Sequence, residues 1–275
     1  MCSNAPFGGW GHAPMPEWRD LPGPLATRIA GTGPRLVFVH GFTQTAEMWA
    51  PIAEQFRRRD FEVAVVDLPG HAESTGIRAD LRRTADLLAG TTGPATYIGY
   101  SLGGRVCLHL ALMFPHIVER LVLIGATPGI IDDDQRALRR DADEELAQHI
   151  IDVGVEAFLD EWVTQPLFHG LELSPDDRAD RLRNTAAGLA SSLRMAGTGT
   201  QVPLWERLRE FNMPILALAG ELDHAYVAIA ERMAGSVPDG QFATIRGAGH
   251  AAMLQQPLDV VTRIETWLDD TRRLV

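Results

Sequence analysis

Short β-type segments alternate with segments of helical periodicity along most of the chain, and this alternation restricts the fold more than any other feature of the sequence. Runs of β-branched and aliphatic residues bounded by turn residues predict strands at Leu36–Val39, Val63–Val66, Ala95–Gly99, Leu121–Ile124, Ile215–Ala219 and Phe242–Ile245, with one or two more near Ala26–Ala30. Apolar residues at helical spacing predict helices at Ala46–Arg59, Leu102–Phe114, Tyr226–Ala234 and Leu258–Leu274. Such alternation predicts an α/β fold, in which a mostly parallel sheet carries helices on its faces.

The segment from Gly129 to Arg209 interrupts this alternation. It is long, rich in charged residues and largely helical in its periodicity. We therefore expect a helical cap at 129–209, inserted into a core made of residues 1–128 and 210–275. A chain of 275 residues with 45% hydrophobic residues is long enough to bury such a core in one domain.

The charged residues exclude several classes of function. The formal net charge is −11, so no broad positive field is present to attract nucleic acid or an anionic membrane. Every basic residue is arginine, and the absence of lysine excludes Schiff-base chemistry, pyridoxal-phosphate attachment and a P-loop lysine. An anionic substrate must therefore be bound by locally clustered arginines.

The cysteines and the first residues of the chain predict a cytoplasmic protein. Cys2 and Cys107 lie far apart, so neither a disulfide framework nor a CxxC metal site is expected, and Cys107 is interpreted as buried packing. Residues Met1–Leu21 lack the basic and apolar regions of a signal peptide, and no apolar run reaches the roughly 18 residues of a membrane span. We expect neither a metal nor an organic cofactor. The sequence does not indicate an oligomeric state.

A GxSxG sequence, GYSLG at Gly99–Gly103, stands between a predicted strand and a predicted helix. This is the context of a nucleophile elbow, a sharp turn whose glycines leave room for a serine, here Ser101, to project outwards. An earlier strand ends at His40–Phe42, where a loop amide can point to the same place. We expect the N–H groups of Phe42 and Leu102 to form an oxyanion hole beside the serine.

A serine hydroxyl is a weak nucleophile or base at neutral pH, so it needs a histidine and a carboxylate. His250 directly follows the last predicted strand, whereas His109 and His116 lie in or beyond the helix after the elbow and are expected to face solvent or core. Asp223 follows the preceding strand and gives the chain order Ser, Asp, His; Glu221 is its nearest rival. The predicted triad is therefore completed by Asp223 and His250.

Arg105 is unusual for its position in the chain. It lies in the first turn of the helix that follows Ser101, where the helix dipole disfavours a cation. Arg105 follows Ser101 by four positions, so both side chains lie on the same helix face. We interpret Arg105 as a ligand of a substrate carboxylate.

Two arginines of the cap have ordinary partners close in sequence. Arg139 has Asp143 at i+4, and Arg183 has Asp180 at i−3, so each taken alone is interpreted as a solvated ion pair. Trp162, taken alone, is interpreted as packing within the cap.

Taken together, these residues resemble a family: the α/β-hydrolase-fold synthases of menaquinone biosynthesis. These enzymes eliminate pyruvate from an enolpyruvyl cyclohexene intermediate and give 2-succinyl-6-hydroxy-2,4-cyclohexadiene-1-carboxylate. The resemblance extends from about Leu36 to Leu268. It is carried by VHGF (Val39–Phe42), DLPGH (Asp67–His71), GYSLGGR (Gly99–Arg105), PG (Pro128–Gly129) followed by Arg136 and Arg139, WxxQPLF (Trp162–Phe168), LRN (Leu182–Asn184), GELD (Gly220–Asp223) and AGH (Ala248–His250).

The resemblance implies a role for each matching residue. It implies a triad of Ser101, Asp223 and His250, carboxylate ligands at Arg105, Arg139 and Arg183, and a pocket lined by Tyr100 and Trp162. It thus reverses the ion-pair interpretation of Arg139 and Arg183. The implied chemistry is an elimination, in which the Ser101/His250 pair removes a proton next to the succinyl carbonyl of a polycarboxylate substrate and no acyl-enzyme forms.

Two other hypotheses stay open at this point. The same fold and triad serve serine hydrolases of esters, lactones or carbon–carbon bonds, because a fold does not determine a function. Such a hydrolase predicts a mainly apolar pocket under the cap, whereas the synthase predicts arginines that converge near the serine. A non-catalytic binding protein of this fold is the alternative from another class. A dehalogenase-like function would require an aspartate in place of Ser101.

Overall fold

The centre of the molecule is an eight-stranded sheet, seen in a computed structural model that describes residues 18–272. Its order is β1-β2-β4-β3-β5-β6-β7-β8. The first two neighbouring pairs are antiparallel and all the others are parallel, which confirms the predicted mostly parallel sheet. The strands are β1 (Arg19–Asp20), β2 (Thr27–Ala30), β3 (Arg35–Val39), β4 (Glu62–Val66), β5 (Ala95–Tyr100), β6 (Val118–Ile124), β7 (Ile215–Gly220) and β8 (Gly240–Ile245).

Helices cover both faces of the sheet. Successive residues of a strand point to opposite faces, so Val37 and Val39 pack in one apolar cluster with α2, α3 and α7, while Leu36 and Phe38 pack in another with α1 and α9. Burial on both faces explains why these strands are continuous apolar runs. The helices are α1 (Ala50–Arg57), α2 (Leu81–Thr92), α3 (Leu102–Met113), α4 (Asp133–Trp162), α5 (Pro175–Arg181), α6 (Ala186–Ala196), α7 (His224–Ala234), α8 (Ala252–Gln255) and α9 (Pro257–Arg272).

The structure differs from the predicted helices in two places. The predicted helix Ala46–Arg59 is a 3₁₀ turn at Ala46–Trp49 followed by α1, because Pro51 has no N–H to donate and is tolerated only in the first turn of an α-helix. Helix α2 was not predicted, although Asp80 caps it by accepting a hydrogen bond from the Arg83 N–H at 2.7 Å.

Some expectations fall outside the part of the chain that the structure describes. These expectations concern Cys2, most of the stretch Met1–Leu21 and the predicted end of the last helix at Leu274. Cys107 is a buried, free thiol, as its position predicts. Within residues 18–272, no helix is both long and apolar enough to cross a membrane.

The chain between β6 and β7 is helical and lies over one edge of the sheet. It contains α4, α5 and α6, and α4 bends at Gly154, whose φ of 81° is left-handed and interrupts the helical geometry. Phe158 and Leu189 belong to a small apolar cluster of these helices, and Trp162 and Phe42 pack against it. The exact limits of this unit at 129 and 209 stay a prediction.

Candidate active site

Ser101 occupies a sharp turn between β5 and α3. Its backbone has φ 50° and ψ −108°, a strained conformation that a non-glycine residue seldom adopts. The turn is held by a hydrogen bond from the Ser101 N–H to the Ile124 carbonyl at 2.9 Å. The side chain is thereby presented at the carboxyl end of the parallel strands, where ligands of open α/β sheets bind.

The turn requires glycine at position 103 because the neighbouring strand passes very close to it. A Cβ at Gly103 would lie 2.2 Å from the Val39 carbonyl oxygen. We expect Gly103→Ala to lower the free energy of unfolding by at least about 3 kcal/mol and the Tm by roughly 6 °C or more. Thermal unfolding measures this, with Gly76→Ala as the matched control because no atom lies within 4 Å of a Cβ there. Equal Tm values for the two variants would contradict the close approach.

His250 links the serine to a buried carboxylate. Its Nε2 lies 3.3 Å from Ser101 Oγ, and its Nδ1 lies 2.7 Å from Asp223 Oδ2. Asp223 accepts a hydrogen bond from the Nδ1–H group, so the lone pair of Nε2 is left to accept the proton of the serine hydroxyl. The three residues predicted as a triad are therefore brought together with the geometry of a serine nucleophile or base.

Local hydrogen bonds place the two loops that carry Asp223 and His250. The Leu222 N–H donates to the Ala248 carbonyl at 2.9 Å and ties the loops together. The Gly249 N–H donates to Gln255 Oε1 at 2.7 Å. Glu221, the rival of Asp223, instead accepts a hydrogen bond from the Gly247 N–H at 2.8 Å and does not contact the imidazole.

The imidazole of His40 orients the peptide group that is predicted to supply one N–H of the oxyanion hole. The Leu68 N–H donates to His40 Nε2 at 3.0 Å, so the proton of this imidazole lies on Nδ1 and is donated to the Gly41 carbonyl at 2.7 Å. Because the following peptide bond is trans, the Phe42 N–H points in the opposite direction and bonds to no residue among 18–272. Leu102 is the first residue of α3, so its N–H has no partner within that helix.

Buried histidines make the stability of the fold depend on pH. Burial lowers the pKa of His40 to about 4, that of His71 to about 3 and that of His109 to about 4. Each lowered pKa means that the unfolded chain binds a proton more readily than the folded chain. The stability contributed by a neutral imidazole is therefore complete above the unfolded pKa of about 6.5 and is lost as the pH falls from there towards the folded value.

We expect the free energy of unfolding to fall by up to about 1.4 kcal/mol per pH unit for each buried histidine between pH 6.5 and 4. Urea unfolding at pH 7.5, 6.0 and 5.0 measures this slope. His71→Gln should reduce the slope, while His116→Gln should not, since His116 is exposed. Equal stability at pH 5.0 and 7.5 would contradict the burial of neutral imidazoles.

Two arginines line the pocket above Ser101, one from the core and one from the cap. Arg105 is buried, and its Nη1 donates to the Ala196 carbonyl at 2.8 Å. Burial lowers its pKa to about 10, which leaves it a cation at neutral pH. Arg139 donates from Nε to Asp143 at 2.7 Å, and Asp143 is fixed in turn by the Gly199 N–H at 3.0 Å. Both guanidinium groups keep further N–H donors for a ligand.

The structure does not bring Arg183 to this pocket. Its guanidinium donates to Asp180 and to Glu73, both at 3.1 Å, on another part of the surface. The i−3 partner evident in the sequence thus holds this side chain away from Ser101. A substrate contact by Arg183 stays a prediction that the structure does not support.

Arg181, to which the sequence assigns no role, is the last residue of α5 and turns towards the site. It is 4% exposed, and its Nη1 donates to Oγ1 of Thr43, the residue after Phe42, at 2.6 Å. Burial lowers its pKa, and Tyr100 interacts with it electrostatically. Arg181 and Arg183 are two positions apart in the chain, and the burial of Arg181 distinguishes its role from that of Arg183.

Aromatic side chains form the remaining wall of the pocket. Trp162 packs against Phe42 and Phe168, with ring centroids 5.4 and 5.5 Å apart, and it lines the pocket. Tyr100 lies beneath the triad with its ring 5.4 Å from that of His250. The pocket therefore joins an aromatic side to a side that carries Arg105 and Arg139.

The sheet order, the serine turn and the aligned His250 and Asp223 together define an α/β-hydrolase. A family model described as "Alpha/beta hydrolase family" matches residues 36–264, and the chain belongs to this family. A 2-succinyl-6-hydroxy-2,4-cyclohexadiene-1-carboxylate synthase of Citrobacter koseri is 34% identical over 236 residues, which cover 83% of this chain and 91% of the relative. Within the α/β-hydrolases, the chain thus belongs to the family of these synthases.

Solved structures agree with this placement. The structure of MenH from S. aureus has a TM-score of 0.81 and 31% sequence identity, and the match covers 90% of this chain and 98% of that chain. A thermophilic esterase from Thermogutta terrifontis, solved with malate bound, has a TM-score of 0.76 and 27% identity, and the match covers 90% of this chain and 93% of that chain. The same architecture therefore occurs both in MenH and in a protein named an esterase.

Proposed function

We propose that this protein eliminates pyruvate from 2-succinyl-5-enolpyruvyl-6-hydroxy-3-cyclohexene-1-carboxylate and releases 2-succinyl-6-hydroxy-2,4-cyclohexadiene-1-carboxylate. It is an enzyme of the α/β-hydrolase family, and its relatives are named for this product. The observation that carries the proposal is the pair Arg105 and Arg139, which line the same pocket as Ser101 and His250. A substrate with several carboxylates requires such cations in a chain whose net charge is −11.

The first chemical step is removal of a proton from ring carbon C2, which lies next to the succinyl carbonyl. His250 Nε2 accepts this proton through the hydroxyl of Ser101, while Asp223 stabilises the imidazolium that forms. The electron pair moves onto the succinyl oxygen and gives an enolate. The N–H groups of Phe42 and Leu102 stabilise this oxygen as its charge develops.

The second step expels the leaving group. The enolate electrons form a C2=C3 double bond, the former C3=C4 double bond moves to C4=C5, and the C5–O bond breaks. The enolpyruvate released takes up a proton, which His250 can return, and becomes pyruvate. No bond forms between Ser101 and the substrate, so the serine acts as a base or a proton relay.

The remaining residues of the pocket bind the carboxylates and the ring of the substrate. Arg105 and Arg139 bind them on one side of the triad, where each guanidinium is already held by a protein oxygen. Trp162 and Tyr100 enclose the cyclohexene ring of the substrate. The fixed orientation of the arginines reduces the entropy lost on binding.

Ester hydrolysis is a second candidate, and the aligned triad favours it. A serine in hydrogen-bond reach of a histidine is equally suited to attack a carbonyl carbon, and the T. terrifontis relative is named an esterase. The two functions require different parts of the pocket. Elimination needs both the triad and the arginines, whereas hydrolysis of a neutral ester needs the triad alone.

The deciding experiment follows pyruvate release from freshly generated substrate beside hydrolysis of p-nitrophenyl esters. We expect release well above the spontaneous rate and little ester turnover. Release at the spontaneous rate, together with ester hydrolysis that depends on Ser101 and not on Arg139, would overturn the proposed elimination.

A further inference from the structure

Tyr226 places a hydroxyl in the pocket that the triad and the arginine ligands leave unexplained. It lies in the first turn of α7, three residues after Asp223, and it lines the same pocket as Ser101. Its ring packs against the imidazole of His250, with centroids 4.5 Å apart and planes at 55°. A phenylalanine could make this ring contact equally well, so packing alone does not account for the hydroxyl.

The hydroxyl of Tyr226 has no hydrogen-bond partner among residues 18–272. The contrast with Tyr97 is informative, because that hydroxyl lies 2.8 Å from Thr92 Oγ1 and donates to the Gly93 carbonyl at 2.5 Å. Tyr226 is only partly buried, and its open side faces the pocket. A donor of this kind is available to a bound ligand.

The charges around this hydroxyl favour an anionic ligand. Arg105 and Arg139 are both close enough to Tyr226 to interact with it electrostatically. Asp223 also interacts with it, and the carboxylate of Asp223 is itself hydrogen-bonded to His250. Burial raises the pKa of the phenol above its ordinary value, so it stays protonated and able to donate at neutral pH. Its place in the first turn of α7, a helix of 11 residues, adds the positive end of a helix dipole.

A bound carboxylate can accept a hydrogen bond from a neutral donor in addition to those from Arg105 and Arg139. Arg105 donates one N–H to the Ala196 carbonyl, and Arg139 donates one to Asp143. A carboxylate offers about four acceptor positions, so it can take a bond from each arginine and a third from a neutral donor. A phenol adds that third bond without adding charge.

We propose that the Tyr226 hydroxyl donates a hydrogen bond to the substrate carboxylate held by Arg105 and Arg139, so that the three side chains form one carboxylate subsite beside His250. The identity of the natural substrate rests on the proposed function, whereas the recognition of a carboxylate rests on these three side chains alone.

The test is Tyr226→Phe, which removes the hydroxyl and keeps the ring against His250. A bond present equally in the bound substrate and the transition state contributes to binding alone. We expect KM for pyruvate release to rise about 10-fold with kcat within about threefold of the parent value. Tyr97→Phe is the matched control, because it removes a hydroxyl bonded within the core; it should leave KM unchanged.

A second measurement does not depend on the elimination. Calorimetric titration with succinate, a simple dicarboxylate, should give a Kd about 10-fold weaker for Tyr226→Phe than for the parent and for Tyr97→Phe. Equal Kd values for the parent and Tyr226→Phe, or no succinate binding to the parent protein, would overturn the subsite. Succinate binding that depends on Tyr226 in a protein that releases no pyruvate would support the subsite and refute the proposed substrate.

Discussion

Replacing Ser101 with alanine is expected to lower kcat/KM for pyruvate release by about 10³-fold or more. The hydroxyl stands 3.3 Å from His250 Nε2 and is the group that passes the substrate proton to it. Without it, the imidazole must reach the carbon acid directly from a position set for the serine. The oxyanion hole and the arginines remain, so substrate should still bind.

Steady-state kinetics of pyruvate release measure this loss, and succinate titration confirms that the pocket is intact. Ser236→Ala is a suitable control, since Ser236 lies on the surface and its hydroxyl donates to the Arg232 carbonyl at 2.7 Å. Ser236→Ala should retain the parent rate. A Ser101→Ala protein that kept a tenth or more of the parent kcat/KM would show that the serine takes no part in proton transfer.

Replacing Arg139 with alanine is expected to raise KM for pyruvate release by about 100-fold. This guanidinium lines the pocket and is aimed by Asp143, so its loss removes a charge that substrate binding requires. Arg183→Ala removes an arginine from the same cap, and we expect KM to change by less than about threefold, since exposed ion pairs contribute little.

The comparison between Arg139→Ala and Arg183→Ala also tests the role that family resemblance implies for Arg183. An equal rise in KM would mean that Arg183 leaves Glu73 and reaches the substrate, and that the ion pairs seen here break on binding. Arg139→Ala removes the ion-pair partner of the buried Asp143, so the double variant Arg139→Ala/Asp143→Asn separates lost binding from a destabilised cap. Its Tm should recover while its KM stays high.

Periodicity and turn residues were sufficient to predict the core of this protein. The central strands are largely buried and apolar, so their positions follow from apolar runs bounded by turn residues, and Ser101, Asp223 and His250 each follow a strand. The sequence predicts less well where a helix starts and ends. Helix α2 was overlooked although Asp80 marks its start, and the helix predicted from Ala46 is divided at Pro51.

The pocket could not be predicted to the same degree, because it depends on which side chains of the cap turn inwards. Arg181 and Arg183 are neighbours in the chain, yet one is buried beside Thr43 and the other is paired on the surface. Each follows an aspartate within four positions, Asp177 before Arg181 and Asp180 before Arg183, so an acidic neighbour in the sequence does not show which of the two is paired on the surface. Tyr226 likewise has no motif of its own and becomes noticeable only when its ring is seen against His250.

The insertion of the cap between β6 and β7 has a consequence for how proteins of this architecture diverge. The serine, the histidine and the aspartate all belong to the sheet and its loops, whereas Arg139 and Trp162 belong to the inserted helices. Substitutions in α4 to α6 can therefore alter which molecule is accepted while the proton-transfer apparatus is inherited intact. The choice of substrate is nevertheless shared with the core, because Arg105 of α3 and Tyr226 of α7 line the same pocket.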